Sequence, residues 1–139
     1  MILDATNLIA GRVASEVAKR ALLGEKVDVV NSEKAILTGT KTEVFAKFKN
    51  KYDKGIPLKG PYVHRSPDRL MRRIIRGMLP YKQARGADAF KRVMCWKGLP
   101  EPFKDKKMET IKKADVSKVP NLKYITLGAV AKQIGGKIE

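Results

Sequence analysis

The chain has 139 residues, 30 of them Lys or Arg against 14 Asp or Glu, for a formal charge of +16, and 43% of it is hydrophobic. That length suits a single domain with its own core, and the apolar share excludes a disordered tail protein. So large a positive excess points to nucleic acid or, more weakly, an anionic membrane, while no apolar run nears the roughly 20 residues of a membrane span. Met1-Ile2-Leu3-Asp4 lacks a basic leader and does not read as a signal peptide. The one cysteine, Cys95, lies in an apolar run, which predicts a small core residue. A single cysteine forms no internal disulfide, in keeping with a reducing cytoplasm.

Met1 to Ala5 reads as a first strand. Thr6 or Asn7 is the expected cap of a helix over 11–23, which buries Val13, Val17 and Ala21 or Leu22 and stops at Gly24. Val27, Val29 and Val30 mark a second, β-branched strand over 26–31. Strand, helix, strand at this spacing is the pattern of a right-handed βαβ unit, so the expected class is α/β with helices against a parallel sheet. Ala35-Ile36-Leu37 is a third strand or an extended turn. A helix over 42–52 follows, with Val44, Phe45, Phe48 and Tyr52 as its apolar positions and Lys41, Lys47, Lys49 and Lys51 on its other face. Gly55, Pro57, Gly60 and Pro61 make the next stretch a loop, with Lys51, Lys54 and Lys59 as a basic lining.

The stretch from Gly60 to Gly86 holds the densest charge. Ser66 is the expected N-cap of a short helix, Pro67 its first residue and Asp68 the acid of its first turn, with Gly77 and Pro80 as the stop. At about 100° per residue, Arg69, Arg72, Arg73 and Arg76 fall on one face, and Leu70, Met71, Ile74, Ile75 and Met78 oppose them. A charge run is usually a solvated face, but such faces mix signs, and this one has no acids. Like charges one turn apart repel, so a polyanion is the expected neighbour. After Pro80 come a short helix from Ala84 or Gly86 to Arg92 and a buried strand over 93–96. Residues 101–120 read as a single extended or irregular arm outside the core. A last strand is expected over 122–127 and a closing helix over 127–134, all within one domain of residues 1–139.

An α/β sheet is a common enzyme scaffold, so catalytic patterns need testing. Gly39-Thr40-Lys41-Thr42 lacks both glycines a phosphate-binding loop requires, and Gly11-Arg12 lacks the second and third glycines of a dinucleotide fingerprint. His64 is the only histidine, and with one cysteine no usual zinc set can be assembled. Asp4 and Asp28 flank strands with no partner carboxylate in sight. An enzyme is therefore not expected, and no cofactor or small-molecule substrate. The aromatics are scattered, so no stacking platform for single strands is evident. What remains is a basic surface suited to phosphates and 2′-hydroxyls of folded RNA, with DNA an open alternative.

Gly60-Pro61-Tyr62-Val63-His64-Arg65-Ser66-Pro67, Arg76-Gly77-Met78-Leu79-Pro80 and Arg85-Gly86 form one long motif. Asp4-Ala5, Gly11-Arg12-Val13-Ala14-Ser15, Val29-Val30-Asn31, Thr38-Gly39 and Gly98-Leu99-Pro100 surround it in order. In these residues the chain resembles the large-subunit ribosomal protein L13 family in its archaeal and eukaryotic form, over about residues 1–103. Cys95-Trp96 stands where Tyr or Phe is expected, a departure confined to local packing. The resemblance implies a three-layer α/β/α fold with a small, mainly parallel sheet of about four strands and extended basic loops. It implies a cytoplasmic, non-enzymatic constituent of the large ribosomal subunit that binds large-subunit rRNA beside neighbouring ribosomal proteins and supports assembly. The family's contacts carry over onto Arg65, Arg69, Arg72, Arg73, Arg76, Lys82 and Arg85, and the full expected RNA-binding set adds Arg12, Lys41, Lys51, Lys54, Lys59, His64 and Lys97. The alternative is a free-standing RNA- or DNA-binding regulator using the same face.

Overall fold

The computed structural model describes residues 1–137. Strands β1 (Ile2–Asp4), β2 (Val27–Val30), β3 (Ile36–Thr38), β4 (Val93–Cys95) and β5 (Tyr124–Thr126) alternate with helices α1 (Ala10–Leu22), α2 (Lys41–Asp53), α3 (Pro67–Gly77), α4 (Ala84–Lys91) and α5 (Leu127–Gln133). The βαβ reading holds: β1 and β2 pair in parallel, with Leu3 opposite Val29. On its other edge β2 pairs in parallel with β4, with Val29 opposite Cys95. The third apolar run does become a strand, but β3 leaves this sheet and pairs antiparallel with β5. The α/β class stands, with three parallel strands and a separate antiparallel pair instead of one sheet of four.

The core explains the elements. Leu3, Val27, Val29 and Val93 of the parallel sheet are wholly buried, together with Val13, Val17 and Ala21 of α1 and Met71 and Ile75 of α3. Of the two candidates at the end of α1, Ala21 faces inward and Leu22 is 44% exposed. Cys95 is buried beside them, and burial pushes its thiol up to about 12, so it is an inert core residue. Its neighbour Trp96 donates Nε1–H to Asp28 at 3.0 Å and packs its ring against Phe103.

Local chemistry departs from expectation at several helix ends. Thr6 and Asn7 do not cap α1, whose N-cap position is Ile9 with no side-chain bond. Thr6 instead donates both its N–H and its hydroxyl to Asp4, which also accepts from Asn31 at 2.9 Å. Burial works to raise the Asp4 pKa, and these hydrogen bonds outweigh it, holding the carboxyl below its ordinary value. Thr40 caps α2, accepting from the Glu43 N–H while its hydroxyl donates to the Glu43 carboxylate at 2.6 Å. That is a capping box written in the sequence as Thr-Lys-Thr-Glu.

Helix α2 is thinly anchored. Val44 is its one buried residue, Phe45 and Phe48 are half-buried and Tyr52 is exposed. Residues 101–120, expected as an extended or irregular arm, hold short 3-10 turns at Glu101–Phe103, Lys112–Ala114 and Val116–Lys118 and are tied to the body. The Glu109 N–H donates to the Ile2 carbonyl, the Asp4 N–H donates to the Glu109 carbonyl, and Ala114 is wholly buried. Placing that stretch outside the core is therefore corrected at Ala114. A lysine-rich sequence hides one small apolar residue whose backbone satisfies α1, through Ile9 N–H to the Ala114 carbonyl at 2.7 Å.

Candidate nucleic-acid interface

Helix α3 is built as its sequence requires, with one change at each end. Ser66 does occupy the N-cap position and Pro67 the first turn, but the Ser66 hydroxyl donates to the Asp68 carboxylate instead of accepting from the backbone. At the far end Met78 is 42% exposed, outside the apolar face assigned to it. Beyond Gly77 the chain leaves the helical path, and Leu79, not Met78, drops into the core. Between these ends Leu70, Met71 and Ile75 are buried, which turns the arginines outward.

The four arginines do not behave alike. Arg69 and Arg73 are exposed. Arg76 lies over the Tyr81 ring, 4.6 Å from its centroid. Arg72 sits at the edge of the face, donates Nε–H to the Val93 carbonyl at 3.1 Å and stacks on Phe90 at 4.5 Å. It ties α3 to β4 and α4, so this expected RNA-binding residue also has a packing role. Arg65, just before the helix, stacks on Tyr52 of α2 at 4.5 Å.

No arginine of α3 reaches a carboxylate among the described residues. Among the described residues only Arg20 and Lys91 lie within ion-pair distance of an acid, Arg20 being shared by Glu16, Glu25 and Glu109. Several other acids accept hydrogen bonds within the fold. Asp4, Asp28 and Asp68 hold the partners already described, Glu33 accepts from the Gly98 N–H at 3.0 Å, and Asp115 accepts from the Ser117 N–H. The basic surface is unneutralised because cations outnumber acids 30 to 14 and, among the described residues, no acid lies within ion-pair distance of an α3 arginine.

Between α2 and α3 lies a groove of about 330 Å³. It gathers Lys51, His64, Arg73 and Arg76 from three separate parts of the chain around an apolar floor that includes Phe48, Leu70 and Ile74. A second depression of about 510 Å³ adjoins it, where Arg65, Tyr52 and Tyr62 meet the loop at Gly55–Pro57. Lys54 and Lys59 are exposed on that loop, Lys82 and Arg85 are exposed at the α3–α4 link and the start of α4, and Lys97 is exposed after β4. Arg12 belongs elsewhere. It donates to the Lys113 carbonyl at 3.0 Å and lines a separate cleft with Thr40, Lys118 and Lys123. Lys41, at the start of α2, lies over Phe45. Sequence reading missed Lys118 and Lys123 and the aromatic seats of Arg65, Arg72 and Arg76, since no local spacing signals a contact made through a loop or around a helix end.

His64 reports on this site. Burial, with Arg69 and Arg73 nearby, lowers its pKa below 6.5, against a weaker opposing pull from Asp68. The imidazole is therefore uncharged at neutral pH. The sign follows from linkage: an unfolded chain takes up this proton first, so stability is full above the ordinary imidazole value and declines as pH falls through it. In a proton NMR titration the single histidine should show a pKa below 6.5, rising in Arg73→Ala and rising again when an anionic polymer neutralises the face. An unshifted or elevated value in the free protein would contradict this electrostatic description.

Among the described residues no helix is long and apolar enough to cross a membrane, and no group of three acidic, His or Cys side chains could hold a metal. Residues 1–102 match the family described as Ribosomal protein L13. Curated relatives named Large ribosomal subunit protein uL13 match almost end to end. The protein from Archaeoglobus fulgidus is 45% identical over 96% of this chain and 86% of its own length. That from Methanococcoides burtonii is 41% identical over 98% of both, and that from Natronomonas pharaonis is 36% identical over 99% and 92%. An unpaired arginine helix on an α/β body, and a family match covering that helix and every strand of the parallel sheet, lead to one conclusion: this chain belongs to the Ribosomal protein L13 family.

Proposed function

We propose that this chain is a structural, non-enzymatic constituent of the large ribosomal subunit in the cytoplasm, where it binds large-subunit rRNA, supports assembly and lies beside neighbouring ribosomal proteins. The observation that carries the reading is the α3 face, where Arg69, Arg73 and Arg76 stand, among the described residues, without a carboxylate, near Arg65 and Lys51. Guanidinium groups this close are stabilised when phosphates lie against them, and aromatic seats under Arg65 and Arg76 hold two of them in place before binding. In this reading Arg65, Arg69, Arg73, Arg76, Lys51, Lys54, Lys59, Lys82 and Arg85 contact phosphate and sugar, His64 sits among them uncharged, and Lys97 extends the surface. Arg12 serves a separate contact near Lys118 and Lys123, Lys41 adds a cation at the start of α2, and Arg72 orders the helix.

Sedimentation tests the assignment. The protein is expected to travel with large subunits through a high-salt gradient. A free-standing regulator would wash off into the soluble fraction, and that result would overturn the ribosomal assignment.

A further inference from the structure

The groove between α2 and α3 has a feature that phosphate binding does not explain. Its rim is cationic, but its floor is apolar, and an aromatic ring stands exposed at its mouth. We infer that this groove takes one unpaired nucleobase of the bound RNA, stacked on Tyr62 and walled by Phe48 and Ile74, while Lys51, Arg73 and Arg76 hold the flanking phosphates. The inference rests on the RNA-binding reading and deepens it, because it names what the groove recognises.

Tyr62 is the first support. It is 69% exposed, an unusual state for an aromatic residue, yet its ring is held. Its hydroxyl donates to the Pro57 carbonyl at 3.3 Å. Its ring edge lies against Gly60, where a Cβ would stand 3.2 Å from the ring and where φ is +76°, a conformation that favours glycine. A pre-positioned ring loses little freedom when a base stacks on it.

The walls are the second support. Phe48 and Ile74 are half-buried, and Leu70 beneath them is 5% exposed, so a flat apolar solute finds a desolvated bed there. Polar recognition is also at hand. His64 lines the same groove, and an uncharged imidazole offers one N–H donor and one acceptor nitrogen to a base edge. No carboxylate lines the groove, so nothing in it repels a phosphodiester chain. Bases splayed from RNA loops are read by this combination of aromatic face, edge hydrogen bonds and cationic rim. Chain position concealed it: Phe48, Tyr62 and Ile74 lie on a helix, a loop and a second helix, so the aromatics that look scattered in sequence converge here.

Stacking and phosphate contact leave different thermodynamic signatures, because only the latter releases counterions. The experiment measures affinity of the full chain for large-subunit rRNA across a salt series, for the wild type, Tyr62→Ala, Tyr62→Phe and Arg73→Ala. Tyr62→Ala is expected to bind roughly five- to a hundredfold more weakly with an unchanged salt slope. Tyr62→Phe should keep most of the affinity, and Arg73→Ala should make the slope shallower by nearly one. Ultraviolet crosslinking of the intact subunit should join Tyr62 to an unpaired nucleotide. Wild-type affinity in Tyr62→Ala, a changed slope in that variant, or a crosslink from Tyr62 to another protein would each overturn the base pocket while steep, salt-dependent rRNA binding by the wild type stands. Absence of rRNA binding by the wild type would overturn the RNA reading itself and the pocket with it.

Discussion

Replacing Arg69, Arg73 and Arg76 together by alanine should weaken binding to large-subunit rRNA about a hundredfold at roughly 0.15 M salt, and make the salt dependence shallower by nearly three in slope. Among the described residues these three side chains reach no carboxylate, so their removal breaks no ion pair there. The residues that anchor α3 are Leu70, Met71 and Ile75 on its other side, which the substitutions leave alone. Alanine is also a better helix former than the arginine it replaces, so helicity should survive. Arg72→Ala is the informative contrast. It removes the bond to the Val93 carbonyl and the stack on Phe90, and should cost about 1–3 kcal/mol of stability with little change in salt slope. Filter binding across a salt series, with circular dichroism in parallel, separates the two. A triple variant that binds with wild-type affinity and slope would remove the α3 face from the interface.

The second large effect concerns folding. Gly86→Ala should lower the melting temperature by about 10 °C or more, corresponding to roughly 3 kcal/mol at this chain length. Gly86 is the buried residue of the first turn of α4. A Cβ there would overlap the Pro80 carbonyl carbon and oxygen, which are backbone and cannot swing away. The same carbonyl accepts from the Gln83 N–H at 2.9 Å, so the corner between α3 and α4 is closed on both sides. Gly77→Ala provides the control: a Cβ at Gly77 meets nothing within 4 Å, so this variant should melt within a few degrees of the wild type. Equal melting temperatures for Gly86→Ala and the wild type would show that the helices do not meet here as closely as described. Because this corner also sets Lys82 and Arg85, Gly86→Ala should weaken RNA binding as a consequence of the displaced helix.

Much of the architecture was legible because it rests on local rules. The β-branched run at Val27–Val30, the spacing of Val13, Val17 and Ala21, and the Pro67 and Asp68 start of α3 each specify an element through short-range sterics or capping. Misreadings fall where one local signal competes with another. Ser66 prefers the nearby Asp68 carboxylate to a backbone N–H, and Thr6 prefers Asp4 to capping α1. Ala114 was missed because burial of one small residue leaves no periodic trace in a run of lysines.

Positive charge, the amphipathic arginine helix and the family motif from Gly60 to Gly86 are properties of the amino-acid order, and they alone identify a polyanion-binding member of this family. Tertiary structure decided which arginines remain outside. It turned Arg72 onto Phe90, seated Arg65 on Tyr52 and Arg76 on Tyr81, sent Arg12 to a different cleft, and brought Phe48, Tyr62 and Ile74 around one groove. Helical periodicity sets the direction of a side chain relative to its own axis only. What lies in that direction depends on loops and on helix packing, which bring together residues with no fixed spacing along the chain.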